Sequence, residues 1–295
     1  MATGLTVAGT SNLSTGQKIM YNAARIAYEP AAPNPDLVEF HRMPQGHKQW
    51  DILTYERLAD ADALTEGVDV SAMQQLVAAS LTVTPTEHGI FANISKRLRR
   101  RQGDTNVMST TGMLLANSLR RLQDKDIITL YASFTKSTPG ASLAIDVTHF
   151  RGAVAYLLTD NDTSYGPAPL PVHASLHIEQ ISDIIVDISD PGAVVSSRFG
   201  LSAELLQRWW RGSDRLYGVM VFHGGNIARD ASGDSKGAIF AREALALVIA
   251  ETPDAVEERD ISLRATEVGI TQEWSEAERA DPHGVTVYSD SNATI

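Results

Sequence analysis

Apolar positions along the chain change period several times, and each change predicts a different element. Between residues 104 and 136, Met108, Leu115, Leu119, Leu122, Ile127, Leu130 and Phe134 recur at steps of three, four, five or seven, with Asn117, Gln123, Asp124 and Lys125 among the polar positions between them. That spacing lines one face of a helix. No proline interrupts before Pro139, so the pattern predicts about thirty residues of helix, roughly 45 Å at 1.5 Å rise. Helices are also predicted over 147–158, 180–188 and 202–211, the last with Ser202 as N-cap. Strands are predicted over 171–178 and 216–221. Beyond residue 244 the pattern is mainly β. Ile261, Leu263 and Ala265 alternate, Val268, Ile270 and Trp274 follow after a change of face expected at 267–269, and Asp281-Pro282-His283-Gly284 turns the chain into Val285-Thr286-Val287-Tyr288.

The first third of the chain reads differently. Ser14-Thr15-Gly16-Gln17 has capping-box spacing ahead of Ile19, Ala23, Ile26 and Ala27, which predicts one short helix. Pro30, Pro33 and Pro35 then oppose helix and favour extended chain. Val38-Glu39-Phe40, Trp50-Asp51-Ile52-Leu53-Thr54-Tyr55 and Leu81-Thr82-Val83 read as strands. Between the last two, residues 58–67 are small and acidic, with little apolar material to bury on themselves. Such an excursion is read as a protruding arm that packs on a neighbour. There is neither an internal repeat nor a low-complexity tract.

Composition narrows the classes. A length of 295 residues predicts one large domain or two interleaved ones, and 43% hydrophobic residues suffice for a core. With no cysteine the chain holds no disulfide and no thiolate metal site. No apolar stretch approaches a membrane span, and the N-terminal residues lack a secretory pattern, so a protein made and used in solution is expected. The net charge of −11 argues against a surface that wraps nucleic acid as a whole.

Catalytic motifs do not emerge. His223-Gly224-Gly225 has the look of an esterase oxyanion loop, but the chain contains no G-x-S-x-G elbow, no G-x-x-x-x-G-K loop and no G-x-G-x-x-G turn. The glycine pair is read instead as a turn needing φ > 0. Asp160-Asn161-Asp162 fails as a Ca²⁺ loop because Tyr165 and Pro171 stand where Gly and Glu are required. His173 and His177 on a strand lie about 13 Å apart, too far for one metal. Trp209-Trp210 is read as core packing. The expectation is a non-enzyme with no catalytic residue, cofactor or metal.

Taken in order, the elements resemble the major capsid proteins of tailed bacteriophages, the Hong Kong 97-type or Johnson fold. The resemblance rests on Thr82-Val83-Thr84-Pro85-Thr86-Glu87-His88-Gly89 entering Phe91-Ala92-Asn93-Ile94-Ser95, on the helix around Gln123-Asp124-Lys125-Asp126, on His173-Ala174-Ser175-Leu176-His177-Ile178-Glu179-Gln180, and on the run from His223 to the closing strand. It covers roughly residues 14 to 291. It implies an α+β fold with an N-terminal arm (1–36), an extended loop (37–90), the first part of a peripheral domain with a spine helix (91–145), an axial α/β domain (146–230) and the rest of the peripheral, β-rich domain (231–295).

The implied function is a coat protein that self-assembles through pentamers and hexamers into an icosahedral shell around double-stranded DNA, found in the virion and, during assembly, in the host cytoplasm. A portal and separate scaffolding or decoration proteins are the implied partners; a separate scaffolding protein, or none, is implied because no long coiled-coil-like segment precedes the arm, DNA is met by non-specific proximity and no membrane is involved. An encapsulin-type nanocompartment shell around cargo enzymes is the alternative. The loop's Trp50, Ile52, Leu53 and Tyr55 are expected to touch the adjacent subunit. Lys96, Arg97, Arg99, Arg100 and Arg101 form a basic run. It is read as pairing with Asp60, Asp62, Glu66 and Asp69 of another subunit, ahead of the alternative in which it meets genome phosphate or an acidic scaffold. Lys48 stands alone in the loop, and intersubunit crosslinking is not expected.

Overall fold

The computed structural model describes residues 30, 32–61, 63, 66, 73–102, 104–159, 164–189 and 215–290. The expected helices at 14–27 and 202–211, Trp209-Trp210, Asp160-Asn161-Asp162, Asp62 and Asp69 lie outside them. The helices are α1 (Asn34–Leu37), α2 (Lys96–Gln102), α3 (Asp104–Thr129), α4 (Val147–Leu158) and α5 (Ile178–Ser189). The strands are β1 (Glu39–Arg42), β2 (Trp50–Tyr55), β3 (Ala78–Val83), β4 (Thr86–Ser95), β5 (Ser137–Pro139), β6 (Val172–Leu176), β7 (Arg215–Leu216), β8 (Val219–His223), β9 (Asp234–Ala241), β10 (Leu245–Asp260), β11 (Ala265–Glu278) and β12 (Gly284–Asp290).

Among the described residues three sheets form: β1-β10-β11-β4, β5-β12-β9-β6-β8-β7, and the two-stranded ribbon β2-β3. Helices α4 and α5 bury Phe150, Leu157 and Ile184 against the six-stranded sheet. Helix α3 lays Leu115, Leu119 and Ile127 into a second core with Trp274, Leu247 and Tyr131. Strand β9 belongs to both: alternation sends Ile239 and Ala241 into the first core and Ala238 and Phe240 into the second. Buried on both faces, it reads as the continuous apolar run Gly237-Ala238-Ile239-Phe240. The six-stranded sheet therefore takes strands from both sides of the expected 230/231 boundary.

Helix α3 has 26 residues, about 39 Å, and gives way to a 3₁₀ turn at Leu130–Ala132. Leu122, expected on its buried stripe, is exposed. The stripe from Leu119 to Ile127 runs instead through buried Gln123, and beside it Asp124 is fully buried, its carboxylate accepting from the Asn34 backbone N–H at 3.0 Å and from Asn226 Nδ2 at 2.8 Å. The proline-rich approach is not wholly extended, since α1 forms with a proline in its first turn, where no N–H is needed.

Two expected strands are redrawn. The 216–221 run breaks into β7 and β8 around Tyr217 (φ 52°) and Gly218 (φ 84°), a two-residue hairpin turn with both central residues left-handed. Residues 261–264 form the β10–β11 turn, because Asp260 accepts from Ser262 N, Ser262 Oγ and Leu263 N. No change of face occurs at 267–269, since Thr266, Val268, Ile270, Gln272 and Trp274 share one buried side. The irregularity falls in β10, between Ile249 and Asp254, where Pro253 offers no N–H to the ladder. Past it, residues 251–259 of β10 are exposed throughout.

Candidate functional site: the ribbon and a cationic cleft

The ribbon is rooted by one face and open on the other. Ile52 and Val83 are buried with Met43, Ala246 and Val248, and Trp50 packs beside them against His41, ring centroids 6.1 Å apart. Arg279 pairs with Glu39 and reaches Thr54 Oγ1. Alternation along β2 then turns Leu53 and Tyr55 outward, 55% and 58% exposed. Trp50, Ile52, Leu53 and Tyr55, expected together on a neighbour, thus divide between two faces, and Ile52 is a core residue of its own chain. Leu58, Met73, Leu76 and Val77 extend the outward apolar surface. No sequence signal beyond the period-two pattern marked that division.

The first residues of the acidic segment are tied down. Arg57 N donates to Ser164 O at 2.8 Å and Ala59 N to Gln74 Oε1 at 2.8 Å. Asp60 and Glu66 are exposed; among the described residues Asp60 has only Arg57 at 3.9 Å beside it, a spacing of little energetic weight in water.

The basic run forms α2. Ser95 caps it by accepting from Leu98 N at 3.2 Å, and Leu98 is buried, which turns Lys96, Arg97, Arg100 and Arg101 outward. Arg99 is half-buried, bonded to Thr266 Oγ1 at 2.5 Å and paired with Glu257 at 3.3 Å. Facing α2 across an open cleft of about 840 Å³ are Arg259, Ile261 and Arg264 of the β10–β11 turn. Sequence reasoning missed Arg259 and Arg264, because nothing local says that residues 160 positions apart share a wall.

Elsewhere the titratable groups serve the fold. Burial raises Asp124 despite its amide donors. Burial, and then Asp290 and Glu179, push Asp183 up to about 6. Burial lowers His173, which is edge-on to Phe222 at 5.9 Å, while His177 lies past the end of β6. Gly224 has no positive φ; a Cβ there would come within 2.6 Å of Ile227 Cδ1, so close packing explains it. Among the described residues no cluster of three metal-ligating side chains forms, and no helix is long and apolar enough to cross a membrane.

The fold is shared along nearly the whole chain with solved structures of phage heads. The capsid of Ralstonia phage GP4 matches with TM-score 0.71 at 10% identity, over 92% of this chain and 95% of that one. The fold is the Hong Kong 97-type capsid fold. The head of Helicobacter pylori bacteriophage KHP40 matches with TM-score 0.70 at 11% identity over 92% and 95%. Mycobacterium phage Che8 matches with 0.65 at 14% over 90% and 94%. No protein-family model and no curated protein matches the chain. At such identities the Hong Kong 97-type fold is carried by element order and burial pattern rather than by shared residues.

Proposed function

We propose that this chain is the major capsid protein of a tailed bacteriophage, assembling through pentamers and hexamers into an icosahedral shell that encloses double-stranded DNA. The observation that carries the reading is end-to-end agreement with chains of assembled phage heads, 92% of this chain against 95% of the Ralstonia phage GP4 chain. The neighbours are described as phage capsids and heads and as GTA particles, which favours this reading over a cargo-enclosing nanocompartment.

In this reading the ribbon is the extended loop, α3 the spine helix, the six-stranded sheet with α4 and α5 the axial domain, and the four-stranded sheet the peripheral domain. Leu53, Tyr55, Leu58 and Leu76 lie on an adjacent subunit, and Trp50 and Ile52 hold the ribbon's base rigid so that they can. An isolated two-stranded ribbon is marginal in water, so an exposed apolar one is completed by a neighbour. A portal, a separate scaffolding protein or a decoration protein, and packaged DNA are the partners this role calls for, in the virion and before that in the host cytoplasm. Negative-stain electron microscopy of the purified protein, alone and with its neighbouring gene products, tests it. Closed shells or ring-shaped capsomers are expected; a monomer or dimer at every salt concentration and in every company overturns the assignment.

A further inference from the structure

The cleft between α2 and the β10–β11 turn combines two features that rarely serve the same ligand. Its rim is cationic, with Lys96, Arg99, Arg100, Arg259 and Arg264, and beside them stands Ile261, 83% exposed. Among the described residues, Lys96, Arg100, Arg259 and Arg264 have no carboxylate partner, whereas Arg99 is satisfied by Glu257 and Thr266. Asp260, the one acid among the described residues that line the cleft, is committed to the turn's own N–H groups. A phosphate backbone would match the rim but leave the isoleucine wet. An acidic peptide with an apolar side chain between its carboxylates would match both.

The same chain carries such a peptide. Glu56, Leu58, Asp60 and Glu66 are exposed, and Arg57 is the basic residue among them. It cannot reach its own cleft. Thr54 lies beside Arg279, one residue past the end of β11, and Arg57 is tied to Ser164, whose neighbour Tyr165 packs on His283. The cleft sits at the opposite end of β11, against Ala265 and Thr266. Fourteen strand residues separate them, roughly 45 Å. Complementary surfaces held apart on one rigid element meet only between copies, head to tail, the contact geometry that closes rings.

Resting on the assembly reading, we propose that the α2/β10–β11 cleft receives the 56–66 segment of a second copy of this chain. Asp60, Glu56 and Glu66 are set against Arg100, Arg259 and Arg264, and Leu58 against Ile261.

Charge reversal in two halves tests it. One variant carries Arg100→Glu, Arg259→Glu and Arg264→Glu; a second carries Glu56→Lys, Asp60→Lys and Glu66→Lys; a third carries all six. Shell formation by sedimentation and microscopy, and nuclease-protected DNA, are measured across salt. The first two are expected to lose shells at low salt and the third to regain them, because every contact then joins reversed partners. A third variant that folds by circular dichroism yet stays defective overturns the pairing. Shells that persist in the first variant with less protected DNA overturn it in favour of a phosphate site. Arg259→Gln and Asp60→Asn, singly and together, provide a milder cycle should the reversals misfold. Each is expected to raise the protein concentration needed for shells by about two- to fivefold, and the pair by no more than one alone; strict additivity counts against contact. Wild-type protein that never forms shells or capsomers sinks the assembly reading itself, whereas wild-type shells indifferent to all variants sink only the cleft assignment.

Discussion

Strand β9 and the outer half of β10 are neighbours in sequence and opposites in chemistry. In β9 nearly every side chain is buried, feeding two cores at once. From residue 251 to 259 of β10 every residue is exposed, yet past the irregularity that ends at Asp254 the ladder to β11 runs unbroken to Asp260. Strand order there is held by the ladder to β11 and by the Asp260-capped turn, not by a core. One region is specified by burial within the chain; the other keeps its shape with its side chains in solvent. That division shows where substitution should cost stability and where it should cost assembly.

The interior side of the comparison breaks most easily at Trp274. Fully buried, it donates from Nε1 to Asp126 at 3.3 Å and stacks on His88 with ring centroids 4.0 Å apart. Trp274→Ala is expected to cost about 3–5 kcal/mol, read by urea denaturation of dissociated subunits. A loss below about 1 kcal/mol would mean that α3 and the four-stranded sheet do not close over this ring. Gly237 in β9 tests the opposite error. A Cβ there would stand 2.7 Å from Ser175 O and 2.8 Å from Gln180 Oε1. Gln180 is itself fixed by Ser235 O, Val287 O and Ser289 Oγ and cannot step aside. Gly237→Ala is expected to cost about 1–3 kcal/mol by overpacking.

Asp183 sharpens the comparison through pH. Its carboxyl is pushed up to about 6 from 3.8, by burial first and then by Asp290 and Glu179. The folded chain therefore prefers the protonated acid. The stability this confers is fully present below the ordinary carboxylate range and is lost as pH rises through about 6. Asp183→Asn keeps the side chain neutral, so it is expected to match wild type in acid and to exceed it above pH 6. Denaturation midpoints that keep the wild-type pH slope in the variant would place the titration elsewhere.

The sequence was most legible where one period ran undisturbed. Helix α4 falls on the predicted 147–158, and β2, the β12 turn and most of α3 follow their patterns. Reading failed where a side chain overruled the period. Asp260 captured Ser262 and Leu263, turning an alternating run into a turn. Asp124, a charged residue, is buried because two amide donors, 90 and 102 residues away in sequence, met its carboxylate. The candidate surfaces were half visible. The basic run and the ribbon stood out as local patterns, but Arg259 and Arg264 joined the first only through the β4–β11 ladder, which pairs Ser95 with Ala265.

Adjacent residues of β2 supply the finest test, because their side chains leave the same backbone in opposite directions. Ile52 enters the small core of Met43, Val83, Ala246 and Val248, while Leu53 is 55% exposed and Tyr55 follows it outward. Leu53→Asp and Tyr55→Asp remove no side chain from a buried core cluster, so subunit stability is expected to stay within about 0.5 kcal/mol of wild type. Shell yield should nonetheless collapse if this face lies on a neighbour, since an uncompensated charge would then be buried at every repeated contact. Ile52→Asp is expected to do the reverse, unfolding the ribbon's root before assembly can be scored. Equal effects of Ile52→Asp and Leu53→Asp on subunit stability would show that the ribbon's outer face is covered by its own chain. The ribbon would then belong with β9, and the partner-dependent region would shrink to the hairpin tip alone.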